Sequence, residues 1–289
     1  MISYGRQTID EADLLAVKEA LQSDWLTQGP RIEIFENDLK DYFGSKYCSV
    51  VSNGTAALHL VALALGWKKD DIILTTPISF VATANCILYA GACVEFVDID
   101  LDTYQIDLNF LELKLKKLQS ENKSIKALIA VDYAGNPSDW VELRKLADFY
   151  GFTLINDNCH AMGAHYLGNK KYAAEYADVV TQSYHPVKNI TTGEGGAVFT
   201  NDASINKKIC DLRTHGITKD FSKMEQQHGP WYYEMQDLGF NYRITEIQCA
   251  LGISQLKKLD TFIKRRNEIA AYYDKNIADT DCSKKLKIR

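Results

Sequence analysis

The fold is decided by residues 177–200, which read ADVVTQSYHPVKNITTGEGGAVFT. One apolar run ends near Gln182 and a second begins at Ala197, and polar or glycine residues separate them. This arrangement predicts two strands joined by a tight connection that carries Lys188. Such connections often carry functional residues, and an uncharged lysine amine attacks carbonyl carbons. Taken alone, however, the pattern is more typical of a solvated surface lysine.

A strand, a turn of small residues and a helix are predicted at residues 48–60, which read CSVVSNGTAALHL. The first N–H groups of a helix have no partner within it and carry partial positive charge. Gly54, Thr55 and Ala56 are therefore candidates for binding a phosphate group. An ordinary capped helix is the alternative for this segment by itself.

Asp157 ends another short apolar run, within the sequence FTLINDNCHAMGA of residues 152–164. Ligands of open α/β sheets bind at the carboxyl ends of the strands. A carboxylate at such a position can pair with a protonated pyridine nitrogen. Because His160 follows closely, a metal site or a helix cap is the alternative. No further His, Cys and Asp cluster has ligand spacing, so we predict no metal.

Short apolar runs alternate with helical segments along the chain, which predicts an α/β fold with a mostly parallel central sheet covered on both faces. The runs are residues 72–74, 93–97, 127–131, 154–155 and 179–180. The predicted helices include one with Leu14, Val17 and Leu21 after an Asp10 cap, one ending at Gly44, residues 138–150, and one long helix from Ile244 to about Tyr273.

The composition is that of an ordinary soluble protein: 289 residues, 46% hydrophobic and 25% charged. The apolar runs are too short to span a membrane and the N-terminus has no signal-peptide pattern, so we expect a cytoplasmic location. A net charge of −5 argues against nucleic-acid binding as the main activity. The basic residues 257–258 and 264–266 are interpreted as the solvated face of the last helix.

Five segments in this order resemble the DegT/DnrJ/EryC1/StrS family of nucleotide-sugar aminotransferases, over residues 1 to about 276. They are SNGTAAL (52–58), TPISFVATAN (76–85), the Asp157/His160 pair, SYHPVKN with TTGEGG (183–196), and GFNYRI (239–244). Within the family, VDYAGNP (131–137) and ALGISQLKKL (250–259) are most similar to members of the pseudaminic acid pathway. Those members aminate C4 of a UDP-linked 4-keto-6-deoxy sugar.

The resemblance implies the large domain of a fold-type I, aspartate aminotransferase-like enzyme that uses pyridoxal 5'-phosphate. Lys188 would bond to the aldehyde carbon of the cofactor and later move the proton. Asp157 would keep the pyridine nitrogen protonated, Phe80 would stack on the ring and His160 would lie beside it. The phosphate would be bound by Gly54, Thr55, Ala56 and Ser183, and by Asn241 of a neighbouring subunit. A homodimer with shared sites follows.

The resemblance also implies the substrates. L-Glutamate would leave its nitrogen on the cofactor, and a UDP-keto sugar would collect it. The pocket for the sugar nucleotide would be lined by Tyr4, Asp24, Trp25, Leu26 and Thr27. For Tyr4 and Trp25, a purely structural role as half-buried anchors is almost as plausible. Related dehydratases carry His in place of the lysine, so Lys188 favours transamination.

We expect a cofactor-binding domain over residues 1–250 with an N-terminal substrate segment, and the beginning of a truncated C-terminal domain over 251–289. The resemblance implies a smaller C-terminal domain, which we expect this chain largely to lack. A cofactor-binding but inactive remnant, or an aminotransferase for another nucleotide keto sugar, is therefore the alternative. An oxidoreductase with a Rossmann fold is disfavoured, because no Gly-x-Gly-x-x-Gly follows the first strand.

Overall fold

The computed structural model describes residues 5–226 and 228–278. The predicted substrate residue Tyr4 therefore lies outside the described residues. The helices are α1 Glu11–Leu21, α2 Pro30–Phe43, α3 Gly54–Ala64, α4 Val81–Tyr89, α5 Leu108–Ser120, α6 Trp140–Tyr150, α7 Tyr172–Tyr176, α8 Ala203–Leu212, α9 Glu246–Leu256 and α10 Leu259–Ala278. The strands are β1 Tyr47–Val51, β2 Ile72–Thr75, β3 Cys93–Phe96, β4 Ile125–Val131, β5 Thr153–Asp157, β6 Val179–Ser183, β7 Gly196–Thr200, β8 Ile217–Thr218 and β9 Glu234–Met235.

Seven strands form one sheet in the order β1-β7-β6-β5-β4-β2-β3. Strands β2 to β6 pair in parallel, whereas β7 is antiparallel to both of its neighbours, β1 and β6. The sheet is thus mostly parallel, as predicted, and the two strands that flank the Lys188 connection are antiparallel. The carboxyl ends of β1, β5 and β6 open onto one edge of the sheet.

Two apolar cores lie on opposite faces of the sheet. One contains side chains of α2, α5, α6, α7 and α9, including the fully buried Phe35 and Trp140. The other contains side chains of α3, α4 and α8, including Leu60 and Ile87. Helix α3 is buried along nearly its whole length, which its almost uninterrupted apolar sequence explains. Both faces of the sheet are covered, as the pattern of buried strands predicts.

Helix α1 begins as predicted, because Asp10 and Asp13 form a reciprocal capping box. Its large apolar residues Leu14 and Leu21 do not face the core, however, because both are exposed. The buried residues of α1 are Ala20 and Asp13, and Asp13 Oδ2 accepts hydrogen bonds from Gln255 at 2.8 Å and Lys258 at 2.6 Å. The 3.6-residue spacing thus predicted the helix correctly, but a polar contact with α9 sets its orientation.

The single long helix predicted from Ile244 to Tyr273 is wrong. The chain forms α9 and α10, with a break at Lys257 and Lys258. Lys258 leaves the helical path to bond Asp10 and Asp13, so it is not part of a solvated face. The domain boundary that we place after residue 250 lies within α9, and the division into two domains stays a prediction.

No helix in the described part of the chain combines the length and apolar character needed to cross a membrane. The cytoplasmic location stays a prediction.

Candidate active site

The predicted phosphate-binding segment packs against the end of β6 through a glycine. A Cβ atom at Gly54 would lie 2.8 Å from Ser183 Cβ, so the start of α3 and the Ser183 hydroxyl are neighbours. A Cβ at Gly196 would lie 2.5 Å from the carbonyl carbon of Asn53, which only glycine avoids. The structure therefore brings Gly54, Thr55 and Ser183 together at one edge of the sheet.

The N–H groups at the start of α3 are not all equivalent. The N–H of Ala56 donates to Asn53 Oδ1 at 2.8 Å, and the N–H of Ala57 donates to the Asn53 carbonyl at 3.1 Å. Gly54 and Thr55 precede these and belong to the turn of a helix whose N–H groups lack intrahelical acceptors. Ala56 is thus already capped, which favours Gly54 and Thr55 as the anion-binding donors of this segment.

Gly54→Ala is expected to weaken cofactor binding at least about tenfold, which corresponds to about 1.4 kcal/mol. The added methyl group would push the start of α3 away from Ser183. Fluorescence titration of the protein with pyridoxal phosphate measures this loss. Unchanged affinity in a folded variant would show that the α3 start is not part of the phosphate site.

Asp157 occupies the carboxyl end of β5 and is buried, with 4% of its surface exposed. Its Oδ2 accepts a hydrogen bond from the hydroxyl of Thr83 in α4 at 2.7 Å, and Oδ1 accepts the N–H of Cys159 at 3.3 Å. An ionised carboxylate has about four acceptor positions. Two donors leave capacity for a further one, such as a protonated pyridine nitrogen.

A second buried carboxylate, Asp132, fixes the ends of β4 and β5. Its Oδ1 accepts hydrogen bonds from Ser138 N and Trp140 Nε1, and its Oδ2 from Asn156, Asn158 and Tyr172. Burial raises the pKa of Asp132 to about 6, while these donors act in the opposite direction. Because all five partners donate to it, the Asp132 side chain acts as an acceptor and holds the residues on both sides of Asp157.

Asp132→Asn is expected to lower the free energy of unfolding by about 3 kcal/mol. An amide nitrogen would replace one carboxylate oxygen and face donors that then have no acceptor. Thermal and urea denaturation measure the change, and Asp38→Asn on the exposed face of α2 is the matched control. Equal stability of the two variants would contradict a structural role for Asp132.

Lys188 lies in the turn after β6, where its N–H donates to the His185 carbonyl at 2.8 Å. Lys188 and His160 line the same cavity, and Asp157 ends β5 three residues before His160. Burial first, and the Lys188 charge second, lower the pKa of His160. His160 Nδ1 accepts the N–H of Ala134 at 3.3 Å, so the neutral ring carries its proton on Nε2.

Two cavities meet at Lys188. The larger, about 750 Å³, is lined by residues of the 133–137 turn, the 160–165 segment and α10. The smaller, about 190 Å³, lies between the Lys188 turn, residues 6–8 and α10. Together they form an open cleft at the carboxyl edge of the sheet.

Two predicted site residues lie at the surface of the described chain. Phe80, 64% exposed, precedes α4 by one residue, and its carbonyl accepts the N–H of Thr83, the residue that bonds Asp157. Phe80 is therefore close to the carboxyl edge and free to contact a ring there. Asn241 is exposed and pairs with Thr214 through a backbone bridge, away from the residues that line the cleft.

The segment from Asp24 to Thr27 is not brought to the cleft. It packs against the start of α9, where the Thr27 carbonyl accepts the N–H of Glu246. Trp25 is 56% exposed, which is compatible with the half-buried anchor that the sequence left open. Neither cavity beside Lys188 is lined by these residues. Their contact with a sugar nucleotide stays a prediction.

Sequence reasoning missed Thr83, Tyr133 and Arg266. Thr83 lies within the TPISFVATAN motif, so its position was quoted without a role. Tyr133 places its ring 6.1 Å from that of His160. Arg266 lines both cavities beside Lys188, although we interpreted its segment as solvated. No group of three or more His, Cys, Asp or Glu side chains suited to a metal ion occurs among the described residues.

The fold and the cleft define a fold-type I pyridoxal-phosphate-dependent enzyme, because the Gly54 turn, the buried carboxylate of Asp157 and Lys188 follow strands β1, β5 and β6 at the carboxyl edge of the sheet. The family model described as the DegT/DnrJ/EryC1/StrS aminotransferase family matches residues 7–288. The chain belongs to that family and is a sugar aminotransferase.

Individual relatives agree with this assignment. The chain is 43% identical, over all of its length and 73% of the relative, to a UDP-4-amino-4,6-dideoxy-N-acetyl-beta-L-altrosamine transaminase of Campylobacter jejuni. Helicobacter pylori PseC, an aminotransferase of pseudaminic acid biosynthesis, superimposes with a TM-score of 0.85 at 35% identity, covering 99% of this chain and 74% of PseC. The PMP form of Spr1654 from Streptococcus pneumoniae superimposes with a TM-score of 0.86 at 28% identity, covering 97% of this chain and 73% of Spr1654.

Proposed function

We propose that the protein transfers an amino group from L-glutamate to C4 of a UDP-linked 4-keto-6-deoxy-N-acetylhexosamine, in pseudaminic acid biosynthesis. The observation that carries the proposal is the position of Lys188, just after β6, beside the buried Asp157 at the end of the neighbouring strand β5, in a chain 43% identical to a transaminase of that pathway. The reaction type rests on the residues, and the sugar and donor rest on the relatives' names.

Pyridoxal phosphate, when bound, supplies an electron sink for carbanion chemistry and carries nitrogen between two substrates. Asp157 would accept a hydrogen bond from the pyridine N–H with the acceptor capacity that Thr83 and Cys159 leave unused. Gly54, Thr55 and Ser183 would hold the phosphate. Lys188 Nζ would anchor the aldehyde carbon and afterwards act as the base and acid that moves a proton.

The larger cavity supports a nucleotide-sugar substrate. Its volume of about 750 Å³ is within the range of about 300–1,000 Å³ that is typical of ligand pockets. His160 and the Tyr133 turn lie on one of its walls and Lys188 on another. A keto sugar in this cavity would present its carbonyl carbon to the same volume that the lysine amine reaches.

A homodimer with shared sites is part of the proposal. Exposed apolar side chains precede Asn241 in the chain: Trp231, Tyr233, Met235 and Leu238. An exposed apolar strip of this kind is typical of a protein–protein contact. Its proximity in sequence to Asn241 supports a second copy that would receive the Asn241 side chain in its phosphate site.

The test is a turnover assay on this chain with pyridoxal phosphate, a panel of UDP-linked and GDP-linked keto sugars, and several amino-acid donors. We expect fastest turnover with the UDP-4-keto-6-deoxy-N-acetylhexosamine and L-glutamate, and NMR of the product should place nitrogen on C4. Amination at C3, or preference for a GDP-linked sugar, would contradict the proposed specificity. A yellow protein without turnover would instead support the cofactor-binding but inactive alternative.

A further inference from the structure

The cleft beside Lys188 is locally positive in a protein of net charge −5. Cationic side chains line it: Arg6, Lys188, Arg265 and Arg266. Among the described residues, no Asp or Glu lines either of the two cavities that meet at Lys188. A wall of cations without facing carboxylates concentrates positive potential where an anion binds.

Arg266 is the cation best placed in this cleft. It lies on α10 and lines both cavities, and its Nη2 donates to the Lys188 carbonyl at 3.4 Å. Within residues 5–226 and 228–278, no carboxylate forms an ion pair with it. Partial burial lowers the pKa of its guanidinium, although the side chain as a whole stays in contact with solvent.

The neighbouring arginine provides a contrast. Arg265 lines the smaller cavity, but its Nη1 is paired with Glu268 Oε2 at 3.0 Å. Arg6 lines the same cavity from the N-terminal segment. Arg266 and Arg6 are thus the two arginines of this cavity for which the structure shows no ion pair among the described residues.

The size of the smaller cavity selects the kind of anion. Its volume of about 190 Å³ is below the range of about 300–1,000 Å³ that is usual for larger ligands. A nucleotide diphosphate does not fit this space, whereas one end of an amino acid does. A guanidinium binds a carboxylate through two parallel hydrogen bonds, which gives both affinity and orientation.

We propose that Arg266, assisted by Arg6, binds a carboxylate of the amino-acid donor in the smaller cavity beside Lys188. This inference rests on the proposed function, because it names the donor subsite of the same reaction. The contact would orient the donor so that its amine approaches the reacting centre, and α10 would thereby contribute to specificity for dicarboxylic amino acids.

The experiment uses glutarate, a dicarboxylate without an amine, as a non-reacting probe of the cofactor-loaded protein. Isothermal titration calorimetry should show Arg266→Met binding glutarate at least tenfold more weakly than the wild type, with Arg266→Lys in between. Steady-state kinetics should show the same increase in KM for L-glutamate and no change in KM for the keto sugar. Lys264→Met on α10, outside both cavities at Lys188, is the matched control and should match the wild type.

Each other outcome overturns the inference. Unchanged glutarate affinity with a lower kcat in Arg266→Met would mean that Arg266 only supports the Lys188 turn. An increased KM for the keto sugar alone would assign the anion to the diphosphate. If the wild type transfers no nitrogen from any donor, the proposed function is refuted. The glutarate titration would still show whether Arg266 binds a carboxylate, so the two failures can be distinguished.

Discussion

Lys188→Ala is expected to abolish aminotransferase activity, with turnover lower by about 10⁴-fold. Among the described residues that line the two cavities, Lys188 is the only lysine, and the substitution removes its amine. Both the anchoring of the cofactor and the later proton transfer would be lost. Borohydride reduction followed by mass spectrometry should add one cofactor to the wild type and none to the variant.

Lys69→Ala is the matched control, because Lys69 is exposed in the turn before β2. It should retain activity and cofactor labelling. Labelling of Lys188→Ala at the wild-type level, with the cofactor found on another lysine, would contradict the assignment of Lys188. Absorbance at long wavelength, which reports the covalent attachment, provides a second measurement on the same samples.

Asp157→Asn is expected to reduce turnover by about 10²–10³-fold and to weaken cofactor binding. Asparagine keeps the size and can still accept the Thr83 hydroxyl, but it has no charge to keep a pyridine nitrogen protonated. The pre-steady-state rate of the reaction with L-glutamate alone isolates this effect, since no keto sugar is present.

Asp148→Asn changes an exposed carboxylate on α6 and serves as the control for Asp157→Asn. Turnover by Asp157→Asn equal to that of Asp148→Asn would show that Asp157 does not face the cofactor ring. A variant that folds and binds the cofactor but reacts slowly with L-glutamate is the expected result.

Much of the fold could be predicted from local sequence. The buried strands consist of continuous apolar runs, and helix ends carry recognisable residues such as Asp10 and Gly44. The prediction failed where a polar contact across the structure decides the geometry. Lys258 lies at the break between α9 and α10, where its ammonium group pairs with Asp10 and Asp13, and no local pattern carries that information.

The sequence predicted the site residues that follow strand ends but missed those that lie on helices, for a similar reason. Lys188, Asp157 and Gly54 follow strand ends, so the parallel sheet brings them to one edge. Thr83 and Arg266 approach the same edge from helices, and their roles depend on which helix face turns inward. Helical periodicity could not show this for Arg266, because its neighbours Lys264 and Arg265 are also charged.

The position of β7 between β1 and β6 affects when the sheet can be completed during synthesis of the chain. Strand β1 lies at the edge of the sheet, and β7 is its partner there. Because Tyr47 pairs with Thr200, β1 cannot be fully paired until Thr200 has left the ribosome. Until then an apolar strand has an unsatisfied edge, which is a hazard for aggregation. Strand β7 pairs with both β1 and β6, so the strands that lead into the Gly54 turn and the Lys188 turn reach their final positions in the sheet only once residues 196–200 have been synthesised.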